Sequence, residues 1–397
     1  MKATKTFMRF FTRNKIIQPI IIFDIGSASI GGAVVFFGGE MPKISYSTRI
    51  QLPFQEEVDR GRLLPQIEEI LEKVSSDVQK NGLHTGTGKS IKPHNIVCVL
   101  SSLWSNTQTT SASFENKEVF EVNDSIMDSL LEQIHKSKDT KKDGDVTIEE
   151  IVINSQLNGY STRFPLKKEA KRIDITLLES SVAKEIYEKI NNIIDKTFSP
   201  DISVVFRSST LVAFSVARDI YEDMRDFIIV DVTGEITELA VVHNSILGDT
   251  ISFPYGRNSL IRDIAKSTES VPEDILARVK ILFSSIEVEL EKNPFEKEEK
   301  KWIEMFSKAC FEISSDINPL PKNIFLIVDS SYEKWFHFMI KKTNFNGVPI
   351  VQEDYKINPI MKDKVSDLYE SSSMSMRDNF IVVDALFYNR EYLSSER

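Results

Sequence analysis

Short apolar runs and stretches of helical apolar spacing alternate along most of this chain, the pattern of an α/β protein. Residues 16–37, IIQPIIIFDIGSASIGGAVVFF, hold a β-branched run, a Gly-punctuated turn and a second apolar run, which predicts a hairpin. Residues 65–80 place apolar side chains at 67, 70, 71 and 74, one face of a helix. A polar, Gly-rich connector at 81–93 leads to a short buried strand at 95–100. A strand-like TQTTSASF comes next, then a helix near 123–136 with Asn123 and Asp124 available as caps. A lysine/aspartate loop at 136–145, balanced in sign, reads as a solvated tip. Strands are expected at 150–155 and 170–178, a helix at 179–198, and another strand, ISVVF, after Pro200. Residues 227–242, FIIVDVTGEITELAVV, repeat the shape of the first hairpin. Helices are then predicted near 258–265, 272–290 and 295–315, a buried strand at 323–328, a helix at 332–342, and a last strand, FIVVDALF, at 380–387.

The two hairpins, with Asp24 and Asp231 about 207 residues apart, organise the chain. That period is too long for a solenoid and suggests two similar α/β halves facing each other across a cleft. The length of 397 residues allows roughly two to three domains, and a composition of 41% hydrophobic and 27% charged residues is that of a globular protein. Cys98 and Cys310 lie in unrelated segments, which excludes a disulfide scaffold and a cysteine-rich zinc site. His84, His94, His135, His243 and His337 form no H-x-x-x-H pair, so a histidine-based metal site is not expected, and no direct ligand motif marks any other metal.

Net charge is −10, which argues against nucleic-acid binding. The charge is unevenly spread. Five of the 49 basic residues, Lys2, Lys5, Arg9, Arg13 and Lys15, lie in an acid-free head at 1–18, leaving 44 against 59 acids, or −15, over the remainder. At 100° per residue Lys2, Lys5, Arg9 and Arg13 share one narrow arc, opposite Phe7, Phe10 and Phe11 with Met8 at the margin. Burying each Phe among acyl chains is worth roughly 1.5–3 kcal/mol at most, and each basic residue about 1 kcal/mol near an anionic surface. Residues 1–18 are therefore expected to form a basic amphipathic helix that contacts a membrane surface through Phe7, Met8, Phe10, Phe11, Lys2, Lys5, Arg9 and Arg13. No apolar run approaches the roughly 18 residues needed to span a bilayer, and the head is a poor secretory signal, so the chain reads as cytoplasmic.

The turn Asp24-Ile25-Gly26-Ser27-Ala28-Ser29 follows a buried strand. There Gly lets backbone N–H groups approach a phosphate, the Ser hydroxyls add donors, and Asp24 can hold a metal-bound water. The second turn, Asp231-Val232-Thr233-Gly234-Glu235, pairs with it, because two such turns can close on one phosphate chain from opposite sides. The stretch Gly86-Thr87-Gly88-Lys89-Ser90 fails as a P-loop: Leu83 stands where Gly is required, and the segment does not leave a buried strand. Glu238, Asp329 and Asp384 read as solvent-facing carboxylates at strand ends.

In this order the hairpins resemble phosphate 1 and phosphate 2 of the actin/heat-shock-chaperone ATPase superfamily, and more narrowly the bacterial FtsA cell-division and PilM pilus-assembly families. FDIGSASIGGAVV is similar to the D-I-G-[ST] first hairpin of that superfamily. NIVCVLSSLWSN resembles the start of the FtsA-type inserted 1C subdomain, and EIVINSQLNGYSTRFPLKKEAKRIDITLLESSVAKEI its second half. TISFPYGRNSLIRDIAKSTESVPEDILARVK is similar to the P-Y/G-G-N segment and the helix after it.

The resemblance implies a two-domain actin-like fold with a 1C (SHS2-like) insert. It divides the chain into subdomain 1A at 19–93 and 184–225, 1C at 94–183, 2A at 226–258 and 318–397, and a reduced 2B at 259–317. It also implies a nucleotide, ATP or ADP with Mg, held by Asp24 (through water to the metal), Gly26, Ser27, Ser29, Asp231, Thr233 and Gly234. Three departures argue against brisk hydrolysis: Thr233 and Glu235 in the second hairpin, and Asp329-Ser330-Ser331 where the adenosine motif has Gly-Gly. The implied function is an FtsA-like scaffold linking a division or cytoskeletal polymer to the inner membrane, with weak or absent ATP hydrolysis. A PilM-like platform of a type IV pilus or secretion machine, and an active ATPase or kinase, are the alternatives. Partners implied are the tail of a tubulin-like division polymer or a pilus-assembly peptide, the inner-membrane surface, and further copies of the chain in filaments.

Overall fold

The computed structural model describes residues 19–38, 41–55, 60–84, 90–137, 144–162, 164–284, 295–314, 320–343, 355–359, 365, 367–375 and 378–395. The basic head at 1–18, with its expected membrane-contact residues, lies outside them, as do residues 85–89 of the Gly-rich connector.

The first hairpin forms as its apolar runs require. Strands β1 (Pro19–Ile25) and β2 (Ser29–Phe36) pair antiparallel from Pro19 opposite Phe36 to Ile25 opposite Ile30. A third strand, β3 (Lys43–Gln51), is half-buried and carries no apolar run that the pattern could find. Helix α1 (Arg60–Asp77) presents Leu63, Ile67, Ile70, Leu71 and Val74 to this sheet and runs into a single π turn at Val78–Gly82. Strand β4 (Asn95–Leu100) lies parallel to β1. It therefore belongs to the first sheet, and the inserted unit starts at Ser105 rather than at residue 94.

The insert comprises β5 (Ser105–Glu121), α2 (Asp124–Ser137), β6 (Asp145–Leu157), the short β7 (Tyr160–Ser161) and β8 (Glu169–Ala183), in sheet order β5-β8-β6-β7. Asn123 caps α2, its Oδ1 accepting from the Ile126 N–H at 3.0 Å. The helix expected at 179–198 starts only at Lys184, as α3 (Lys184–Thr197). Residues 179–183 stay extended because β8 is hydrogen-bonded on both sides, to β5 and to β6.

The chain then returns to the first sheet through β9 (Ser203–Ser208) and enters α4 (Ser209–Ile220). Ser208 caps α4 by accepting from the Leu211 N–H, and its own N–H and hydroxyl both donate to the buried Glu149 of β6, fixing the insert to the first lobe.

The second lobe repeats the first. It contains β10 (Phe227–Val232), β11 (Thr237–His243), β12 (Ile246–Phe253), α5 (Arg257–Ser267), α6 (Pro272–Ser284), α7 (Glu296–Ser314), β13 (Asn323–Ile327), α8 (Glu333–Lys342) and β14 (Lys356–Pro359). Its order, β12-β11-β10-β13-β14, matches β3-β2-β1-β4-β9 strand for strand, three antiparallel strands followed by two parallel ones. A two-residue strand, β15 (Glu370–Ser371), then joins the edge of the first sheet, and α9 (Asn379–Ser395) ends the described chain.

Helix α9 replaces the strand expected at 380–387. Ile381, Val382, Val383, Asp384 and Ala385 are all buried, so consecutive residues face protein on every side. A continuous apolar run of this kind fits either a buried strand or a buried helix, and periodicity cannot separate the two. Packing chooses the helix: α4 and α9 fill the layer between the two sheets, where Ile20, Ile22, Val97 and Val99 meet Phe227, Ile229 and Phe325 in one core.

That position makes a prediction. Ile381→Ala should destabilise the protein by about 2–5 kcal/mol, read from chemical denaturation, because the cavity would open where both lobes meet.

Candidate functional site

The two hairpin turns face one another at the mouth of the cleft, so the structure brings together Asp24, Gly26, Ser27 and Ser29 from one lobe and Asp231, Thr233 and Gly234 from the other. The turns touch directly. The Ser27 hydroxyl donates to Thr233 Oγ1 at 3.2 Å and accepts from the Glu235 N–H at 3.1 Å. Gly234 lies against Ala28 so closely that a Cβ there would sit 2.7 Å from the Ala28 Cβ and 2.9 Å from its nitrogen. Each turn is also closed on itself: the Gly26 N–H donates to the Ser29 carbonyl at 3.1 Å, and the Thr233 N–H to the Ile236 carbonyl at 3.0 Å.

Charged residues fill the space behind the first turn. Arg49, on β3, donates through Nη2 to Asp24 Oδ2 at 2.6 Å, through Nη1 to Ser29 Oγ at 2.9 Å, and through Nε to Asp378 Oδ2 at 2.6 Å. Its guanidinium lies over Gly31, where a Cβ would come within 2.5 Å of it. Burial pushes the Asp24 carboxyl above the ordinary carboxylate range; Arg49 pulls it back and Asp378 raises it further. Glu238 and Asp384, expected to face solvent, are buried in the same cluster, and Asp384 sits on α9 rather than at a strand end. Burial, with Asp24 and Asp378 nearby, holds Asp384 well above the usual range. Asp231 is also well raised, by burial first and then by Glu238 and Asp24. Neither Asp231 Oδ1 nor Asp384 Oδ2 has a hydrogen-bond partner among the described residues. Burial pushes Glu238 up to about 7 although the Thr210 hydroxyl donates to it at 3.0 Å.

Around the second turn two further carboxylates, Glu235 and Asp329, are each met by an arginine. Glu235, which sequence places beside a triphosphate, accepts from Arg262 Nη1 at 2.9 Å and from the Ser259 hydroxyl at 2.9 Å. Asp329 follows β13 where the adenosine motif would lie. Its Oδ2 receives Arg257 Nη1 at 3.4 Å, and Arg257 Nη2 reaches across to Gln51 Oε1 at the end of β3, at 3.3 Å. The Arg257 guanidinium lies 4.9 Å from the centroid of the Tyr332 ring. Sequence reasoning missed Arg49, Arg257, Arg262 and Asp378, since no motif marks them. Asp378 left one trace: it stands just before an apolar run, as a helix cap does, and its Oδ1 accepts from the Phe380 N–H at 3.1 Å.

Among solved structures, the PilM–PilN type IV pilus biogenesis complex matches with a TM-score of 0.56 at 10% identity, covering 96% of this chain and 98% of that one. The chain has the actin-like ATPase fold. The ethanolamine utilization protein EutJ from Carboxydothermus hydrogenoformans also matches, with a TM-score of 0.44 at 12% identity over 95% of this chain and 91% of that one. MreB 5 of Spiroplasma citri bound to AMPPNP matches with a TM-score of 0.44 at 10% identity, over 96% and 98%. No protein-family model matches the chain, and a search of curated proteins finds no match.

The actin-like fold implies a Mg–nucleotide between the two turns. In the arrangement described, the two turns are closed on each other in the space it would take. A terminal phosphate would have to part Ala28 from Gly234 and break both bonds of the Ser27 hydroxyl. Asp24, which would hold a metal-bound water, is engaged through Oδ2 by Arg49, and Asp329, at the position of the adenosine motif, is met by Arg257.

Two outcomes are expected. Because the folded protein holds the Glu238 proton up to about pH 7 against an ordinary value of 4.5, the stability associated with that proton is complete below about pH 4.5 and is lost as pH rises to about 7. Glu238→Gln should therefore match the parent protein near pH 4.5 and exceed it at pH 8 by up to about 3 kcal/mol in urea denaturation. Gly234→Ala should lower stability at both pH values, since the added methyl meets Ala28 backbone that cannot swing aside.

Proposed function

We propose that this protein is a PilM-like scaffold: an actin-like body that works as a binding platform rather than through nucleotide turnover. The observation that carries this reading is the direct Ser27–Thr233–Glu235 contact between the two turns, with the cleft charges behind it paired by Arg49, Arg257 and Arg262. An enzyme of this fold needs donors aimed at the phosphates, and here the Gly26 and Thr233 N–H groups close their own turns while the Ser27 hydroxyl and the Glu235 N–H are spent between the turns. The fold likeness to PilM, which spans nearly the whole of both chains, supports the choice of platform. In this reading the partner is a peptide of a membrane-anchored assembly component, as the pairing of PilM with PilN suggests. The inserted β5-β8-β6-β7 sheet takes the place of a 1C subdomain of SHS2 type.

The platform would work at the inner face of the cell membrane. No helix among the described residues is long and apolar enough to cross a bilayer. The basic aromatic head at 1–18 supplies a reversible contact with anionic lipid, and the acidic body would be repelled without it. An FtsA-like role, in which 259–317 holds the tail of a division polymer and copies associate into filaments, is the second reading. It shares the same anchor.

Mg-ATP and Mg-ADP at 1 mM should leave the unfolding temperature unchanged. A nucleotide bound with a Kd of about 10 μM would add about 2.7 kcal/mol and shift it visibly. Phosphate release well above background, lost in Asp24→Ala, would instead establish an ATPase. Removing residues 1–15 should abolish flotation with anionic liposomes. Proteins that co-purify with the full chain from its own host should be pilus or secretion components; division proteins in their place would favour the FtsA-like role.

A further inference from the structure

The inserted sheet carries a group of side chains that the cleft does not use. Along β8, Ile173, Ile175 and Leu177 lie on one face of the sheet and form, with Ala112, Leu130 and Ile134, the small core beneath α2. The alternation continues to Glu179, so a carboxylate occupies the next position of that helix-covered row, and it is buried. Glu150 of β6 stands directly opposite it in the antiparallel pair. Two carboxylates placed cross-strand on one face repel and weaken the sheet. Gln108, opposite Glu179 on the other side, brings no charge.

A third side chain comes from above. His135, in the last turn of α2, places Nε2 3.0 Å from Glu150 Oε1. One ligand atom from each of His135, Glu150 and Glu179 lies within 4.8 Å of the other two. A tetrahedral zinc shell with bonds of about 2.0–2.1 Å spaces its ligand atoms roughly 3.3 Å apart, so binding would require these side chains to adjust around the ion. His135 and Glu150 are exposed enough for an ion to enter from solvent, while Glu179 provides a buried floor.

We propose that His135, Glu150 and Glu179 form a divalent transition-metal site of the zinc class. The ion would remove the Glu150–Glu179 repulsion and tie the end of α2 to β6 and β8. Imidazole with carboxylates suits Zn(II), Co(II) or Ni(II) rather than Mg(II), which keeps its waters and asks for an all-oxygen octahedron. Spacing along the sequence conceals the site, because its ligands lie 15 and 29 residues apart on three different elements. The inference stands apart from the cleft and from the scaffold reading.

The test uses the full, untagged chain stripped with chelator and titrated with Zn(II) by calorimetry, with Co(II) as a spectroscopic probe. One equivalent of Zn(II) should bind, raise the unfolding temperature, and give way to a d–d absorption band when replaced by Co(II). His135→Ala and Glu179→Gln should each weaken binding roughly tenfold or more. Glu179→Gln keeps the side chain's length and its capacity to accept a hydrogen bond, and the unfolding temperature of the metal-free variant shows that the sheet still forms. Equal Zn(II) affinity in His135→Ala, equal affinity in Glu179→Gln, or a thermal response to Mg(II) as large as that to Zn(II) would overturn the site. So would the absence of any binding, which would leave His135 as a simple ion-pair partner of Glu150.

Discussion

Arg49 reaches the floor of the cleft from β3, where it meets Asp24 of β1 and Asp378 at the head of α9, and its guanidinium lies 5.0 Å from the Phe380 ring. One guanidinium thus ties the first turn, its neighbouring strand and the helix that packs between the lobes. It sits among Asp24, Asp378, Asp384, Asp231 and Glu238, a buried group with far more acid than base. Charges in such a place persist only when paired or neutralised. The cluster does both: Arg49 pairs two carboxylates, while burial favours the protonated forms of Asp231, Asp384 and Glu238, reinforced at Asp231 and Asp384 by repulsion from neighbouring carboxylates.

That arrangement explains why the two turns can meet. In a site built for a polyphosphate, donors point outward at the ligand and a cation offsets its charge. Here the compensating cations are side chains of the protein: Arg49 behind the first turn, Arg262 on Glu235 and Arg257 beside Asp329. With charge balanced internally, nothing holds the turns apart, and the Ser27 hydroxyl closes the gap to Thr233 and Glu235. The lobes are joined below by the shared layer of α4 and α9, and at the side by the insert, where the Thr109 hydroxyl of β5 donates to the Gly248 carbonyl at 3.2 Å. The two lobes are thus fastened to one another at three places.

Much of the architecture was legible in the residues. Both hairpins, the parallel strands after them and the amphipathic helices follow from β-branched runs, Gly turns and helical spacing, since these patterns report burial on one face. The elements that escaped are those whose burial is partial or complete. Strand β3 shows little apolar pattern because it is half-covered. The start of helix α9 reads as a strand because residues 381–385 are buried one after another. NIVCVL carries no mark of which sheet it joins; only its pairing with β1 and β9 puts it in the first sheet.

The site divides in the same way. The sequence by itself determined that two Asp-Gly turns recur, that the second is altered by Thr233 and Glu235, and that a basic aromatic head precedes an acidic body; each of these is a local property of neighbouring residues. Only the tertiary structure decided that Asp24 pairs with Arg49, 25 positions away, and with a helix cap at Asp378, and that Glu235 is met by Arg262. It also decided that Glu238 and Asp384 are buried rather than solvated. Electrostatic partnership depends on distance through space and on exclusion of water, and neither is written in the order of the residues.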